Sequence, residues 1–500
     1  MGTVGTGRLS GSLLLAVLAA AACLSFGVSE ATADQKLETI DVPSTVVDPA
    51  IQDFAGPVSS TMGPHPGALK ANVLLPDGYT DKKRYPLLLL LHGAGERYDS
   101  WSDAELGDIR NTAKDLNAVI VMPEGAHSFY ANWFNDGTNV GGAGNGWEDY
   151  FRDELLPGIH KRYSIRPERR YHAVAGFSMG GYGTYLTGSL LNGYFGTVVP
   201  LSAFASIRTP ETQLAFSVAS GGVPFETIYG PPSGSYAEGH DPLEWGPNFR
   251  YSNLDVYTGD GLPDPALRPE NSTPTDTVSL LLESFLKRQN DSTVQAIRDA
   301  GNTTTDYTVH PGSHHFEFWR PDLKSAISKG LFRQVEEQPS SWKYVTSSRS
   351  GQAWDVHFQF SSAPSQVTTF TREGRTLSAT GDGELTIVDG NGCSFQTTIP
   401  FSRKLSGKPC RKLKLKTSGK PKAGKKRAIR VKVTGAGAPG PVAAVDYAKV
   451  KIGGKTAFTN SSGKASIKVK VKKAKKLKPL KVVVKKSGFS PIRKKLTVRR

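Results

Sequence analysis

The chain has 500 residues, of which 38% are hydrophobic and 21% charged, and its formal net charge is +17. Residues 401–500 contain 33 of the 62 Lys and Arg residues but one of the 45 acidic residues, Asp446, so this segment carries +32 and the first 400 residues carry −15. The charge therefore excludes a uniformly basic chain and indicates an acidic first portion joined to a strongly basic tail. The length suggests about three domains.

The N-terminal segment, residues 1–33, has the pattern of a signal peptide. Arg8 precedes an apolar run from Leu13 to Ala22, and Ala31-Thr32-Ala33 offers small residues for cleavage. We therefore expect a secreted, extracellular protein, with cell-wall association as a further expectation; an uncleaved anchor is the alternative. No later segment approaches the roughly 20 apolar residues that span a bilayer, so no transmembrane span is expected after signal removal.

Residues 48–335 alternate between strand-like and helix-like stretches. Several of the strand-like stretches are continuously apolar, as expected for strands covered on both faces. The alternation predicts an α/β domain with a mostly parallel, doubly wound sheet. The predicted strands are Ala68–Leu75, Tyr85–Leu91, Ala118–Met122, Tyr171–Ala175, Gly196–Leu201 and Leu254–Thr258, and the predicted helices include Trp147–Tyr163, Tyr182–Leu191 and Thr277–Gln289.

The segment from Gly176 to Gly181 has the pattern of a nucleophile elbow. Ser178 stands between an apolar strand and a helix-like stretch, and the glycines around it would allow the backbone to turn sharply. Such a turn exposes the serine hydroxyl and directs the N–H of Met179 toward a developing oxyanion. An ordinary Gly/Ser turn is the alternative for the short pattern alone.

Two further segments could complete such a site. The strand ending at Leu91 runs into His92-Gly93-Ala94-Gly95, where the N–H of Ala94 could be a second oxyanion donor. His310, His314 and His315 follow the last predicted strand of the domain, the position of a catalytic base in the chain order serine, acid, histidine. A metal site is the weaker interpretation of the histidines, because no matching motif such as H-E-x-x-H occurs.

Residues from about 70 to 325 resemble the esterase family of α/β-hydrolases that contains the antigen 85 mycolyltransferases and enterochelin-esterase-like proteins. The resemblance implies an α/β-hydrolase fold, an acyl-serine intermediate and no cofactor. It is carried, in order, by Leu91-His92-Gly93, Met122-Pro123, Ser128-Phe129-Tyr130, Trp133, Trp147-Glu148, Gly176 to Gly181, Tyr229-Gly230-Pro231, Asp241-Pro242, Val256 to Gly261, Leu282-Glu283-Ser284-Phe285 and Ser313 to Trp319.

The resemblance also implies roles for individual residues. Ser178 becomes the nucleophile and His314 the base, with the Ala94 and Met179 N–H groups as the oxyanion hole. The acid stays open among three carboxylates: Glu283 matches the helix position of the antigen 85 pattern, whereas Asp260 and Asp264 follow the strand that usually donates the acid.

Where the mycolyltransferases have an Asp-Gly-Leu-Arg loop that contacts trehalose, this chain has His92 to Gly95, without the carboxylate and guanidinium. We therefore expect a secreted serine esterase that hydrolyses acyl esters. An acyltransferase that moves an acyl group to a sugar or wall glycan is the alternative, and a non-catalytic cell-wall-binding protein is the second.

Beyond residue 339 the pattern changes to short alternating strands, which predicts two small all-β, sandwich-like domains at residues 340–410 and 411–500. Cys393 and Cys410 are expected to form a disulfide. The second domain resembles Ig-like modules and alternates lysine with apolar residues. Its lysines could bind an anionic cell-wall polymer or polysaccharide or form only a solubilising face; nucleic acid is not expected, because interleaved aromatic residues are lacking.

Overall fold

The computed structural model describes residues 35–47, 69–135, 145–220, 222–264, 274–436, 443–473 and 477–500. The predicted signal peptide lies outside these ranges. None of the described helices is long and apolar enough to cross a membrane.

An eight-stranded sheet organises the first domain. Its strand order is β1-β2-β4-β3-β5-β6-β7-β8. Strand β2 pairs antiparallel with both β1 and β4, whereas β3 to β8 all run parallel to one another. All parallel strands therefore end at one edge, where loops can bring distant residues together. The strands are β1 (Lys36–Val42), β2 (Leu69–Leu75), β3 (Leu87–Leu91), β4 (Val119–Pro123), β5 (His172–Phe177), β6 (Thr197–Leu201), β7 (Asn253–Gly259) and β8 (Thr305–His310).

Helices cover both faces of this sheet. One hydrophobic cluster lies on each face, so the central strands β3 to β7 are buried along their whole length. This arrangement confirms the predicted α/β-hydrolase fold. A π-helical turn, Tyr150–Leu155, joins α2 to α3. The helices are α1 (Ile109–Thr112), α2 (Trp147–Asp149), α3 (Leu156–Arg162), α4 (Met179–Leu190), α5 (Pro210–Ala219), α6 (Phe225–Tyr229), α7 (Ser235–Gly239), α8 (Pro274–Asp299) and α9 (Phe316–Lys329).

The sheet begins earlier than the sequence pattern suggested. Strand β1, residues 36–42, pairs along its whole length with β2, so the predicted domain start at residue 48 is too late. The strand KLETIDV lies at the edge of the sheet and buries only Ile40 and Val42, which gives it a weak hydrophobic pattern.

A first β module, residues 341–410, follows the hydrolase domain. Two four-stranded antiparallel sheets, β10-β11-β14-β15 and β16-β13-β12-β9, enclose one aromatic-rich core, which gives a sandwich. Cys393 and Cys410 are joined by a disulfide. The strands are β9 (Ser341–Thr346), β10 (Ser350–Ala353), β11 (Val356–Phe360), β12 (Thr368–Glu373), β13 (Thr376–Thr380), β14 (Glu384–Val388), β15 (Ser394–Thr398) and β16 (Phe401–Lys404).

A buried polar network joins this module to the hydrolase domain. Glu148 and His240 form a hydrogen bond of 2.8 Å, and both are buried. From the β module, the Ser348 hydroxyl donates to Glu148 Oε2 at 3.0 Å, and the Ser347 hydroxyl lies 3.1 Å from His240 Nδ1. Burial alone would raise the pKa of Glu148, but His240, the Asn132 N–H and the Ser348 hydroxyl hold it below its ordinary value. The module is therefore an integral part of the hydrolase fold.

The second β module, residues 411–500, contains two sheets around an aliphatic core. Its strands alternate buried apolar residues with exposed lysines, as in β22, which is the predicted alternation. The strands are β17 (Arg411–Ser418), β18 (Lys426–Ala436), β19 (Ala443–Ala444), β20 (Lys449–Ile452), β21 (Lys455–Phe458), β22 (Lys464–Lys470), β23 (Leu480–Lys485), β24 (Phe489–Ser490) and β25 (Ile492–Leu496).

One arginine fixes the second β module to the hydrolase domain. The Arg84 guanidinium donates to both carboxylate oxygens of Asp446, at 2.7 and 3.2 Å, and lies 4.8 Å from the centre of the Tyr447 ring. It also donates to the carbonyls of Ile165 and Thr459. Arg84 precedes β3, so this contact lies at the amino edge of the sheet.

We predict that Arg84→Ala releases the second β module, because it removes a bidentate ion pair with Asp446 and a hydrogen bond to the Thr459 carbonyl. Small-angle scattering should show an increased radius of gyration, with the far-UV circular dichroism unchanged. Arg162→Ala, which removes an exposed charge from the same domain, is the control. An unchanged radius for Arg84→Ala would mean that the other contacts between the domains are sufficient.

Candidate active site

Ser178 lies in a sharp turn between β5 and α4. Its φ of 55° and ψ of −118° are outside the regions that non-glycine residues ordinarily occupy, and such strain is frequent at functional sites. Its N–H donates to the Leu201 carbonyl at 3.0 Å, which ties the turn to the end of β6. Met179 is the first residue of α4, and N–H groups in the first turn of a helix have no partner within the helix.

The glycines of this turn permit close contact between neighbouring loops. A Cβ at Gly176 would lie 2.6 Å from the Gly180 carbonyl oxygen, and a Cβ at Gly180 would lie 2.5 Å from the His92 carbonyl oxygen. The turn therefore packs directly on the loop after β3, which contains Ala94. The predicted oxyanion donors, the N–H groups of Met179 and Ala94, thus belong to two loops in direct contact.

Hydrogen bonds hold the loop after β3 from several sides. The Tyr130 hydroxyl donates to the His92 carbonyl at 2.8 Å, and the indole N–H of Trp101 donates to the Leu91 carbonyl at 2.9 Å. The buried His92 ring accepts from the Gly125 N–H at 2.9 Å. Burial alone would lower the pKa of His92, but the neighbouring Glu124 raises it above its ordinary value.

Glu283 lies fully buried on α8 and contacts His314. Its Oε2 lies 2.7 Å from His314 Nδ1. Its Oε1 accepts three further hydrogen bonds, from the Ser202 hydroxyl at 2.6 Å, the Thr258 hydroxyl at 2.9 Å and the Gly259 N–H at 2.6 Å. Burial alone would raise the pKa of Glu283, but these hydrogen bonds, led by that of His314, lower it below its ordinary value. Glu283 is therefore an ionised carboxylate at neutral pH.

His314 lies in the loop after β8. The edge of its ring meets the Trp319 ring at a centroid distance of 4.9 Å, and its backbone is bonded in both directions to Ser279 of α8. Trp319 stacks on Phe177 at 4.1 Å and donates its indole N–H to Ser202 at 3.0 Å. Stacked rings thus connect the residue before Ser178 with the histidine loop.

The other candidates for the acid lie elsewhere. The Asp260 carboxylate accepts the N–H of Leu262 at 2.8 Å and thereby closes its own turn. Asp264 is partly exposed at the end of the same loop. Of the three carboxylates left open by the sequence, Glu283 is the one bonded to His314.

The remaining histidines of the segment have separate partners. His310 is bonded to Asp322 at 3.1 Å and stacks on Phe318. Burial alone would lower the pKa of His310, but Asp322 raises it to about 9. The His315 side chain caps α9. Across the described part of the chain, no three His, Cys, Asp or Glu side chains gather as metal ligands would.

Ser202 and Trp319 are site residues to which sequence reasoning gave no role. Ser202 follows the buried strand β6 and has a φ of 43°, so a polar residue directly after an apolar strand was the available signal. Trp319 stands within the family motif, but nothing in that motif indicates that it bonds to Ser202. Both residues act by orienting Glu283 and the histidine loop.

Known proteins resemble the part of the chain that contains this site. A family model described as "Putative esterase" matches residues 63–329. The esterase Rv1288 of Mycobacterium tuberculosis is 31% identical over 284 residues, which are 54% of this chain and 58% of the relative. The MPT51/MPB51 antigen of Mycobacterium bovis is 27% identical over 187 residues, covering 36% of this chain and 59% of the antigen. The chain therefore spans less than two thirds of these curated relatives.

Among solved structures, the fluorophosphonate-binding serine hydrolase FphF of Staphylococcus aureus aligns with 60% of this chain and 100% of its own, at 19% identity and a TM-score of 0.43. The structure of MPT51 from Mycobacterium tuberculosis aligns with 59% of this chain and 98% of its own, at 19% identity and a TM-score of 0.45.

We predict that Glu283→Gln lowers kcat by about 10³- to 10⁴-fold, because an amide would donate to His314 Nδ1 and favour the wrong tautomer. The fold should persist, since Gln retains the volume of Glu; ester turnover and thermal melting would be measured together. Asp260→Asn and Asp264→Asn are the matched controls and should change kcat by less than about threefold. A crippled Asp264→Asn beside an active Glu283→Gln would assign the acid to the loop after β7.

Proposed function

The chain belongs to the esterase family of α/β-hydrolases, and on that premise we propose that it is a serine esterase that hydrolyses acyl esters. The observation that carries the proposal is the buried hydrogen bond between Glu283 and His314, 2.7 Å long, at the edge of the sheet where β5 ends in Ser178. A buried carboxylate fixes the tautomer of a histidine and stabilises its charged form.

The proposed reaction has two halves. Ser178 Oγ attacks the acyl carbonyl while His314 Nε2 takes its proton, and the Ala94 and Met179 N–H groups stabilise the oxyanion. The C–O bond to the alcohol then breaks, His314 returns the proton to the leaving alcohol, and an acyl-serine remains. Water repeats the sequence, with His314 as base, and releases the carboxylic acid. Throughout, Glu283 remains ionised and holds His314 Nδ1–H.

The surface beside His314 favours an apolar acyl group. Val278 and Leu281, on the first turns of α8, are 66% and 67% exposed, and Leu262, in the loop after β7, is 60% exposed. Ser279, between the first two, is bonded to the His314 backbone. Exposed apolar side chains grouped beside a reactive residue are typical of a binding surface.

Transfer of the acyl group to an alcohol is the second candidate. It is favoured by the similarity to the MPT51/MPB51 antigen and by the helix position of Glu283. Hydrolysis is the better supported of the two, because residues 92–95 lack the sugar-clamping Asp and Arg. The His92 ring is instead buried and bonded to the Gly93 carbonyl and to the Gly125 N–H of the loop after β4.

We predict that short- and medium-chain acyl esters are hydrolysed without an added alcohol, because water can enter once the first product leaves. A fluorophosphonate probe should label the wild-type chain, and Ser178→Ala should abolish both labelling and turnover. Steady-state release of the acid would be measured with and without glycan acceptors. A burst followed by a slow phase that one sugar accelerates strongly would identify a transferase, whereas folded but unlabelled protein would favour a non-catalytic wall-binding role.

We further propose that the protein is secreted and that the second β module holds it on an anionic surface such as a cell-wall polymer. The charge distribution supports this: residues 411–500 hold 30 Lys and Arg residues and one acidic residue, a net charge of +29 that exceeds the +17 of the whole chain, and such a surface attracts polyanions. Its contact with the hydrolase domain, through Arg84, lies at the amino edge of the sheet, opposite the edge where Ser178 stands. The contact with the proposed tethering module and the proposed nucleophile Ser178 therefore lie at opposite edges of the sheet.

We predict that removal of residues 411–500 leaves ester turnover within about twofold of the full chain but abolishes retention on phosphocellulose at 0.1 M salt. The cut follows Cys410, which keeps the first β module and its disulfide whole. The full chain should elute as salt rises to 1 M, because the Debye length falls from about 10 Å to about 3 Å. Retention of the full chain that persists at 1 M salt would contradict an electrostatic tether.

A further inference from the structure

One face of the second β module is densely cationic. The outward side chains of the neighbouring strands β17, β18 and β22 are mostly basic and exposed, while the alternate residues Leu413, Ile429, Val431, Val433, Ile467 and Val469 fill the core. We call these outward side chains the lysine face; its charged members are Lys412, Lys414, Lys416, Lys426, Arg430, Lys432, Lys464, Lys468 and Lys470.

The strand register aligns three of these lysines in a row. Lys416 pairs with Lys432, and Lys432 pairs with Lys464 on its other side. Adjacent strands are about 4.8 Å apart, so the row spans roughly 10 Å. The next outward positions along the strands, about 6.7 Å away, form a parallel row of Ser418, Arg430 and Ser466.

Like charges directly opposite each other on neighbouring strands are unfavourable. Within the module, Asp446 is the one acidic residue of the sequence, and its carboxylate is already bonded to Arg84. No carboxylate of the module is therefore left to neutralise the row. Facing lysine pairs also occur elsewhere in the module, at Lys426–Lys470, Lys449–Lys485 and Lys481–Lys495, but among its described strand pairings the row is the place where three lysines stand side by side. Three like charges without an internal counterion are explained if an anion binds there.

The two rows line a groove of about 570 Å³. Lys416, Lys432, Lys464 and Arg430 supply the charge, and Ser418 and Ser466 add hydroxyls on either side of Arg430. The groove is thus lined by four cations and by groups that can donate hydrogen bonds to anionic oxygens. Two parallel rows of polar and charged groups along a groove suit a polymer chain better than a flat lipid surface.

We propose that the lysine face binds a linear polyanion whose charges are phosphodiesters without bases, such as a polyol phosphate chain. Eight of the nine cations are lysines, which bind phosphate as compact point charges, whereas arginine pairs in two-pronged fashion with phosphate and carboxylate alike. None of the outward side chains of β17, β18 and β22 is aromatic, so nucleobases have nothing to stack on. The inference rests on the proposed tethering role of this module and names its site and ligand class.

The test compares two triple variants of the full chain that remove equal charge. Lys416→Gln/Lys432→Gln/Lys464→Gln removes the row; Lys451→Gln/Lys481→Gln/Lys495→Gln removes three exposed lysines from the opposite sheet, β21-β20-β23-β25. Binding of poly(glycerol phosphate) would be titrated over a range of salt concentrations. The row variant should lose affinity at least about tenfold, and its slope of log K against log salt concentration should become less steep by about two to three units. The control should lose about twofold in affinity, from the lower net charge alone.

Thermal melting and ester turnover separate binding from folding. The row variant should melt at the wild-type temperature or above it, because removal of facing like charges relieves repulsion, and its turnover should be unchanged. Equal losses of affinity in the two triple variants would overturn the lysine face as a site while leaving a diffuse electrostatic tether intact. Failure of the wild-type chain to bind any polyanion would overturn the tether itself.

Competing ligand classes are tested with the same wild-type chain. Oligothymidylate, polygalacturonate and phosphatidylglycerol vesicles would be titrated beside poly(glycerol phosphate). Weaker binding of all three at equal charge concentration supports the proposal. Tighter binding of the oligonucleotide, the uronate polymer or the vesicles would overturn the phosphodiester assignment in favour of that class.

Discussion

The structure of the site depends on the protein hydrogen bonds that compensate the charge of one buried carboxylate. Glu283 is removed from water, and an ionised carboxylate in that position would be strongly unfavourable without compensation. Four hydrogen bonds, from Ser202, Thr258, Gly259 and His314, replace the lost hydration. They come from the carboxyl ends of β6 and β7 and from the loop after β8. The carboxylate thus holds three loops in register, and it fixes the position of the His314 ring.

Much of this arrangement was predictable because glycine and apolar runs have few alternative explanations. The central strands are apolar along their whole length, and the Gly176 and Gly180 positions admit no Cβ, so both the fold and the position of Ser178 follow from local pattern. The carboxylate partner of His314 could not be identified from local pattern in this way. Glu283 matches the antigen 85 pattern but otherwise looks like any helix glutamate, so the sequence left Asp260 and Asp264 open. Its burial against His314, which depends on the packing of α8, makes the distinction.

Other features could not be predicted because they depend on contacts between distant segments. Strand β1 has little apolar pattern and is stabilised by pairing with β2. Ser202 becomes part of the site only when Trp319, which is 117 residues away, donates to it. The row of lysines required the register of three strands, because the alternation in each strand shows that lysines point outward without showing which ones face each other.

The network of Glu148, His240 and the two serines of the first β module has a consequence for where the hydrolase domain can be cut. A fragment that ended before residue 347 would leave Glu148 and His240 without their two hydroxyl partners. It would also lack the Trp354 backbone, which packs so closely on Gly193 that a Cβ there would lie 2.6 Å from it. The family match ends at residue 329, so a fragment chosen from that match alone would expose this polar surface.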